Sequence, residues 1–157
     1  MAKEDLTVAD YRALAEFRYQ IRRFLHFSET AARSNGVKPQ QHQLLLALKG
    51  IPETVQPTIS EIAARLHIRH HSAVELTNRL TERKLIRKVQ DHVDRRRVLL
   101  EITARGEAVL RRLSLIHRTQ LESLSKDLIR TLQQLLKDNE GIDEKSRFRQ
   151  NNLKRTR

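Results

Sequence analysis

Two clusters of side chains in the middle of this 157-residue chain are built to grip an anion. Arg69, His70, His71 and Ser72 open the first, with Glu75, Asn78 and Arg79 following at helical spacing. The second is Asp91-His92-Val93-Asp94-Arg95-Arg96-Arg97, in which Arg95 and Arg96 are the leading candidates. A guanidinium makes charge-assisted, often bidentate hydrogen bonds to phosphate, and imidazole, amide and carboxylate groups can read the edges of bases. Arg79 has a second possible role, pairing with Glu75 or Glu82 along a helix. Catalytic patterns are missing: there is no H-E-x-x-H, no glycine-rich phosphate loop, no nucleophile elbow and no cysteine. The chain therefore reads as non-catalytic. His67-x-x-His70-His71 has the look of metal ligands, but a turn separates His67 from the pair and no carboxylate or cysteine completes a set. Neither a metal nor a cofactor is expected.

The elements around these clusters decide what the clusters can do. Thr58-Ile59-Ser60-Glu61 is a T-x-x-E capping box, in which a hydroxyl and a carboxylate satisfy orphan amides at a helix start. Ile59, Ile62, Ala63 and Leu66 give that helix one buried face. A turn through His67-Ile68-Arg69 leads into a second helix, about His70 to Lys84, with Ala73, Leu76, Thr77 and Leu80 inward. The period then changes to two, with Ile86 and Lys88, then Val98, Leu100 and Ile102, so the arginine cluster becomes the tip of a hairpin. Helix, turn, helix and basic hairpin make a winged helix-turn-helix. That geometry lays the second helix in a DNA major groove and leaves the wing to reach backbone or minor groove.

Composition agrees. The formal charge is +12 and the pI near 10.8, which calls for a polyanionic partner. The stretch from Arg65 to Arg97 holds ten Lys/Arg against four acids, and Gly141 to Arg157 holds six against two, so the excess is concentrated. Aromatics make up only 4%, so the core must be aliphatic. With no cysteine, disulfides and thiol redox sensing are excluded. No apolar run approaches the roughly twenty residues of a membrane span, and no signal-peptide core opens the chain, so a cytoplasmic, nucleoid-associated protein is expected.

Outside the winged module the chain is helical. Residues 8–34 form a long helix whose Leu14, Phe17, Ile21, Phe24, Ser28 and Ala31 are spaced 3-4-3-4-3, with Tyr11, Leu25 and Ala32 widening the stripe. Asn35-Gly36 ends it, and Pro39 opens a helix over about 39–49 whose Leu44-Leu45-Leu46 and Leu48 imply burial on nearly all sides. Residues 51–57 are a loop. Thr103 caps a helix over about 104–123 with Val109, Leu110, Leu113, Ile116 and Leu121 inward, and Ser125 caps a last helix over 126–138. The basic tail 141–157 is too polar to order itself. The expected organisation is one domain over 1–140: dimerisation helices at 8–34 and 104–138, and a winged helix-turn-helix at 39–103. The terminal helices carry more apolar surface than a small winged core can cover, which favours a homodimer presenting two reading helices about 34 Å apart.

Lys84-Leu85-Ile86-Arg87-Lys88, then Asp94-Arg95-Arg96-Arg97-Val98-Leu99-Leu100-Glu101-Ile102-Thr103-Ala104-Arg105-Gly106, closely resembles the wing of the MarR family of bacterial transcription regulators. The likeness spans roughly residues 10–138. It implies a sequence-specific regulator of transcription that acts as a homodimer on a pseudo-palindromic operator and answers to a small-molecule effector. By position it implies a reading helix at His70–Lys84, a wing tip at Asp94-Arg95-Arg96 braced by Asp94 pairing with a nearby arginine, and Arg96 pointing at DNA. A pocket between the dimer helices and the winged module is implied as well, with Tyr11, Tyr19, Phe24 and His42 as lining candidates, although core packing is the simpler role for each. Three departures stand out: Lys84 where the family often has glycine, Lys38 in place of a capping Thr, and His70-His71 at the start of the reading helix. The competing reading is a non-specific architectural DNA- or RNA-binding protein, which the basic tail favours.

Overall fold

The computed structural model describes residues 6–153, with side chains described through residue 136; of the tail 141–157, expected to stay unordered, residues 141–153 continue the last helix and 154–157 lie outside the described residues. In chain order the elements are α1 (Val8–Ser34), α2 (Pro39–Lys49), α3 (Ile59–Leu66), α4 (His70–Glu82), β1 (Ile86–Gln90), β2 (Val98–Ile102) and α5 (Ala104–Leu153). The fold is mainly α with one antiparallel hairpin, a winged helix-turn-helix between long flanking helices. Two compact units divide it, Phe27–Arg118 being one, and the residues through His26 together with those from Thr119 onward the other.

In the first unit, Leu44, Leu45, Ile62, Leu80, Leu85, Ile86, Leu100 and Leu113 are fully buried, each contributing about 1.5–3 kcal/mol by leaving water. Leu46 departs from the expected all-round burial of α2: it is 50% exposed, because Leu44, Leu45 and Leu48 already fill the inward arc of an eleven-residue helix. Gly36 adopts φ 75, and Val37 N–H then reaches back to the Ala32 carbonyl at 3.1 Å, which closes α1. At the start of α2, Lys38 has no acceptor to offer, but the Gln41 side-chain oxygen accepts from Lys38 N–H at 3.0 Å. Thr58 Oγ1 accepts from Glu61 N–H at 3.2 Å, as its type predicts. The other half of that capping box is not formed: Glu61 instead takes Arg65 Nε at 2.7 Å, a partner one turn along the same helix.

Helix α4, the expected reading helix, stops at Glu82, two residues before the expected end, because Lys84 is left-handed at φ 57. Lys84 N–H bonds to the Thr81 carbonyl at 2.9 Å and Leu85 N–H to the Leu80 carbonyl at 3.0 Å, so the chain leaves α4 in one tight step. A β-carbon in that conformation is disfavoured. Lys84→Gly should therefore raise stability by about 0.5–1 kcal/mol, read as a higher urea midpoint at unchanged slope.

β1 and β2 pair in the register Ile86↔Ile102, Lys88↔Leu100, Gln90↔Val98. The loop before α3 joins this sheet: Leu100 N–H donates to the Pro57 carbonyl at 2.9 Å and Thr58 bridges Leu99. Thr103 then caps α5, its hydroxyl donating to the Lys84 carbonyl at 2.7 Å and accepting from Gly106 N–H at 3.1 Å. The expected break at Ser125 is not there. α5 runs on through it, and Ser125 Oγ donates to the Glu122 carbonyl at 3.1 Å, a mid-helix back-bond rather than a cap.

In the second unit Ala13, Gln20, Leu124 and Thr131 are buried. Gln20 Nε2 donates to Glu16 Oε1 at 2.6 Å and Thr131 Oγ1 to the Asp127 carbonyl at 2.9 Å. The apolar stripe is partly uncovered in the single chain: Leu14 and Ile21 are exposed while Phe17, Phe24, Ser28 and Ala31 are half-buried, and Leu25 beside it and Ile129 and Leu132 on α5 are exposed as well. Leu121, expected inward, is also exposed.

Candidate nucleic-acid interface

Alternation between a buried and an exposed face makes α4 a presenting helix. Ala73, Leu76, Thr77 and Leu80 face the core, while His70, His71, Glu75, Asn78 and Arg79 are exposed and Ser72 is half-buried. Its N-cap, Arg69, makes no side-chain cap bond, so the first-turn amides stay available to an incoming phosphate. His70 lies beside the preceding helix, its Nδ1 3.4 Å from Ser60 Oγ. Arg79 approaches Glu75 at 3.6 Å with both side chains more than half exposed, a contact too weakly held to keep either from a ligand. Asn78, whose amide could read a base edge, accepts from Lys88 Nζ at 2.7 Å through its Oδ1. A base gripped by this amide would meet the Lys88 ammonium at the same oxygen.

The wing is organised by two aspartates. Asp91, buried at 8% exposure, accepts from Val93 N–H at 2.8 Å through its side chain, and its own N–H donates to the Arg97 carbonyl at 3.0 Å. Asp94 Oδ1 accepts from Arg96 N–H at 3.0 Å, and Oδ2 stands 3.5 Å from Arg97 Nε. Gln90 Nε2 closes the loop onto the Arg95 carbonyl at 2.7 Å. Asp94 thus holds Arg97, while among the described residues no carboxylate pairs with Arg95 or Arg96, both exposed. Arg96 also lines a groove of about 600 Å³ with Arg97, Ser60, Glu61 and His70, so the wing base and the start of α4 share one concave, basic-edged surface.

Not every cation of the Arg65–Arg97 stretch is available. Arg65 holds Glu61, and Arg87 pairs across the strands with Glu101 at 2.6 Å. Arg83 is a structural clamp: Nη1 donates to Gln41 Oε1 and Nη2 to the Gly36 carbonyl, both at 2.7 Å, tying the end of α4 to the α1–α2 turn. Sequence reasoning missed Asp91, Gln90 and Lys88 as well as Arg83. Asp91 carried a signal, since a second aspartate three residues before Asp94 suits a side-chain-closed turn. Arg83 carried none, because its partners lie over forty positions away.

Of the proposed effector contacts, Tyr11 and Tyr19 are exposed on α1, Tyr19 with Arg23 5.7 Å from its ring, and Phe24 is half-buried. His42 belongs to the other unit, where it is 3% exposed with its ring against His117. None of the four lines the groove beside α4, the one between α2 and β2, or the apolar one along the first turns of α5. Among the described residues, no three His, Asp or Glu converge as a metal would require. None of the described helices is long and apolar enough to cross a membrane.

Comparison with curated proteins gives no significant match. Among solved structures, the chain is similar to AbsC, a MarR family transcriptional regulator from Streptomyces coelicolor, with a TM-score of 0.67 at 20% identity over 92% of this chain and 99% of that one. It is similar to a mutant MarR from E. coli complexed with operator DNA, with a TM-score of 0.61 at 18% identity over 77% and 88%. CouR from Rhodococcus jostii, bound to p-coumaroyl-CoA, gives 0.55 at 20% identity over 70% and 81%. The MarR family model matches residues 35–97, from the end of α1 to the last arginine of the wing. Residues 35–97 thus match the MarR family model, in a chain that has the fold of MarR family transcription regulators.

Proposed function

We propose that this chain regulates transcription, without catalysis, by binding double-stranded DNA as a homodimer on a pseudo-palindromic operator under the control of a small-molecule effector. One observation carries the reading: His70, at the start of α4, lines the same groove as Arg96 of a wing whose Arg95 and Arg96 have no carboxylate partner among the described residues. Unpaired guanidinium groups at a hairpin tip are suited to phosphate and to the potential of a narrow minor groove. The operator complex of the E. coli relative supports the DNA half of the reading, and the acyl-CoA complex of CouR supports the effector half. Tyr11, Tyr19 and Phe24 are the proposed effector contacts; the enclosure of His42 argues that its first role is packing.

The dimer follows from the stripe. Leu14, Ile21, Leu25, Ile129 and Leu132 are exposed, and this number of large apolar side chains left in water on two helices calls for a cover. A second copy supplies one by two-fold symmetry, and symmetry then matches the two halves of an operator. Sedimentation at micromolar concentration should give twice 18.4 kDa, and Leu25→Lys should shift the chain to monomer. A single 18.4 kDa species for the unaltered chain would remove the dimer.

Selection of bound duplexes from a random pool, followed by sequencing and a salt titration, tests the function. A regulator enriches a two-fold motif and keeps a large affinity ratio over bulk DNA as salt rises. The architectural alternative, which the basic composition of 141–157 favours, enriches nothing and loses all affinity together.

A further inference from the structure

Behind α4, three helices meet on a pair of histidines that the DNA-binding surface does not use. His42 of α2 and His117 of α5 stack with ring centroids 4.7 Å apart and planes inclined by 32°. Both are buried, at 3% and 7% exposure. Phe27 of α1 packs its ring against His117 at 6.1 Å and 77°. His42 Nε2 has no hydrogen-bond partner, so a proton placed there would be a buried charge with nothing to receive it.

We propose that this stack is an acid-sensitive latch: protonation of either ring drives α2 away from α5 and α1, and the movement loosens α4.

The state of the closed latch follows from its surroundings. Burial, and secondarily the neighbouring His117, lower the pKa of His42 from its ordinary value to about 4. Burial also lowers that of His117, while a hydrogen bond with the Ser28 backbone opposes the shift. The ionisable side chains within one helical turn are Arg23, His26 and Glu29 on α1, Lys38 on α2 and Arg118 on α5. Glu29 is the one acid among them, and it pairs with Arg33 at 3.3 Å. The sign is therefore fixed. The closed form stays neutral where an exposed imidazole, with its ordinary value of 6.5, takes up a proton. Stability of the closed form is full above 6.5 and declines as pH falls from there toward 4.

The route to α4 is short. Gln41, adjacent to His42, accepts from Lys38 N–H and from Arg83 Nη1, and Arg83 is the C-cap of α4. Separating the rings displaces the first turn of α2, and with it the oxygen that anchors Arg83. A local charge change thereby biases a distant element, which is how histidine switches operate.

Hydrogen exchange on the full chain tests the latch without requiring DNA. After correction for intrinsic exchange, protection of residues 39–45 and 70–82 should fall about tenfold or more between about pH 7.5 and about pH 5.5, the ratio that linkage gives for His42 titrating at 6.5 when open and at about 4 when closed. His42→Phe, which keeps an aromatic ring without a titrating nitrogen, should remove at least half of that loss. Equal losses in both proteins would overturn the proposal. A wild-type imidazole NMR titration covers a poorly folded variant: both rings must titrate below the ordinary histidine range, and ordinary values would overturn it as well. The DNA arm rests on the function proposed above. On a selected duplex, acid should weaken wild-type binding more than His42→Phe binding, and equal acid effects would overturn the link to α4. Failure to bind any duplex at about pH 7.5 would count against the proposed function, while the exchange experiment would still decide the latch.

Discussion

Gly106→Ala is expected to destabilise the unit Phe27–Arg118 by about 3 kcal/mol, the upper range for forcing extra volume into a packed site. Gly106 is buried in the first turn of α5, where that helix crosses the exit from α4. A β-carbon there would fall on the Leu85 carbonyl oxygen and come within 2.9 Å of Ile102 Cγ2. The obstruction cannot swing aside. The Leu85 carbonyl accepts from Thr103 N–H at 3.1 Å, and Leu85 itself is 1% exposed. Relief would require moving α5 off the α4–β1 connection, breaking the bonds between Thr103 and the Lys84–Leu85 backbone. Urea unfolding should show a large drop in midpoint at unchanged slope. Gly50→Ala is the control, because its new carbon would meet only the Leu46 carbonyl at 3.3 Å and should cost far less. Equal, small losses at both positions would mean that the contact between α5 and the exit from α4 is softer than its geometry requires.

The second large effect falls on binding. Arg96→Ala should weaken affinity by roughly 1–3 kcal/mol for chosen and random duplexes alike, and make the salt dependence shallower by about one unit. The wing-tip backbone is closed by Asp91, Asp94 and Gln90, so loss of the Arg96 side chain leaves the loop in place and removes only its guanidinium. His71→Ala on α4 should instead act mainly on selected sites, at about 1–3 kcal/mol where a base contact is lost. Asn78→Ala should behave differently from both. It frees the Lys88 ammonium that Asn78 now holds, and so should cost selectivity while sparing or improving random-duplex affinity. Fluorescence anisotropy across a salt series distinguishes the three. If Arg96→Ala binds every duplex as the parent does, the wing does not touch DNA.

What the sequence revealed was governed by how local the signal is. Thr58 announces α3, Gly36 ends α1 and the alternation from Ile86 to Ile102 announces the hairpin, because each acts within a few residues of itself. The positions of Arg95 and Arg96 were legible for the same reason. Ser125 misled because serine before a polar turn resembles a cap, yet α5 had enough helical propensity to continue through it. Glu61 was assigned to the wrong partner because Arg65 competes for it at i+4. The Arg83 clamp and the His42–His117 stack were invisible because their members lie 42 and 75 positions apart and neither pair has a pattern in the chain. Lys84 was noticed as a departure from glycine, but only the backbone shows that it takes up the conformation glycine would have had.

The self-closure of residues 90–97 also bears on how such a protein changes over generations. The loop is held by Asp91, Asp94 and the Gln90 amide, while His92, Val93, Arg95 and Arg96 point outward, Val93 at 96% exposure. The residues that hold the loop and the residues available for contact are different sets. Mutations at the outward positions can therefore retarget the tip while the frame beneath it persists, and selection can explore new addresses without passing through unfolded intermediates.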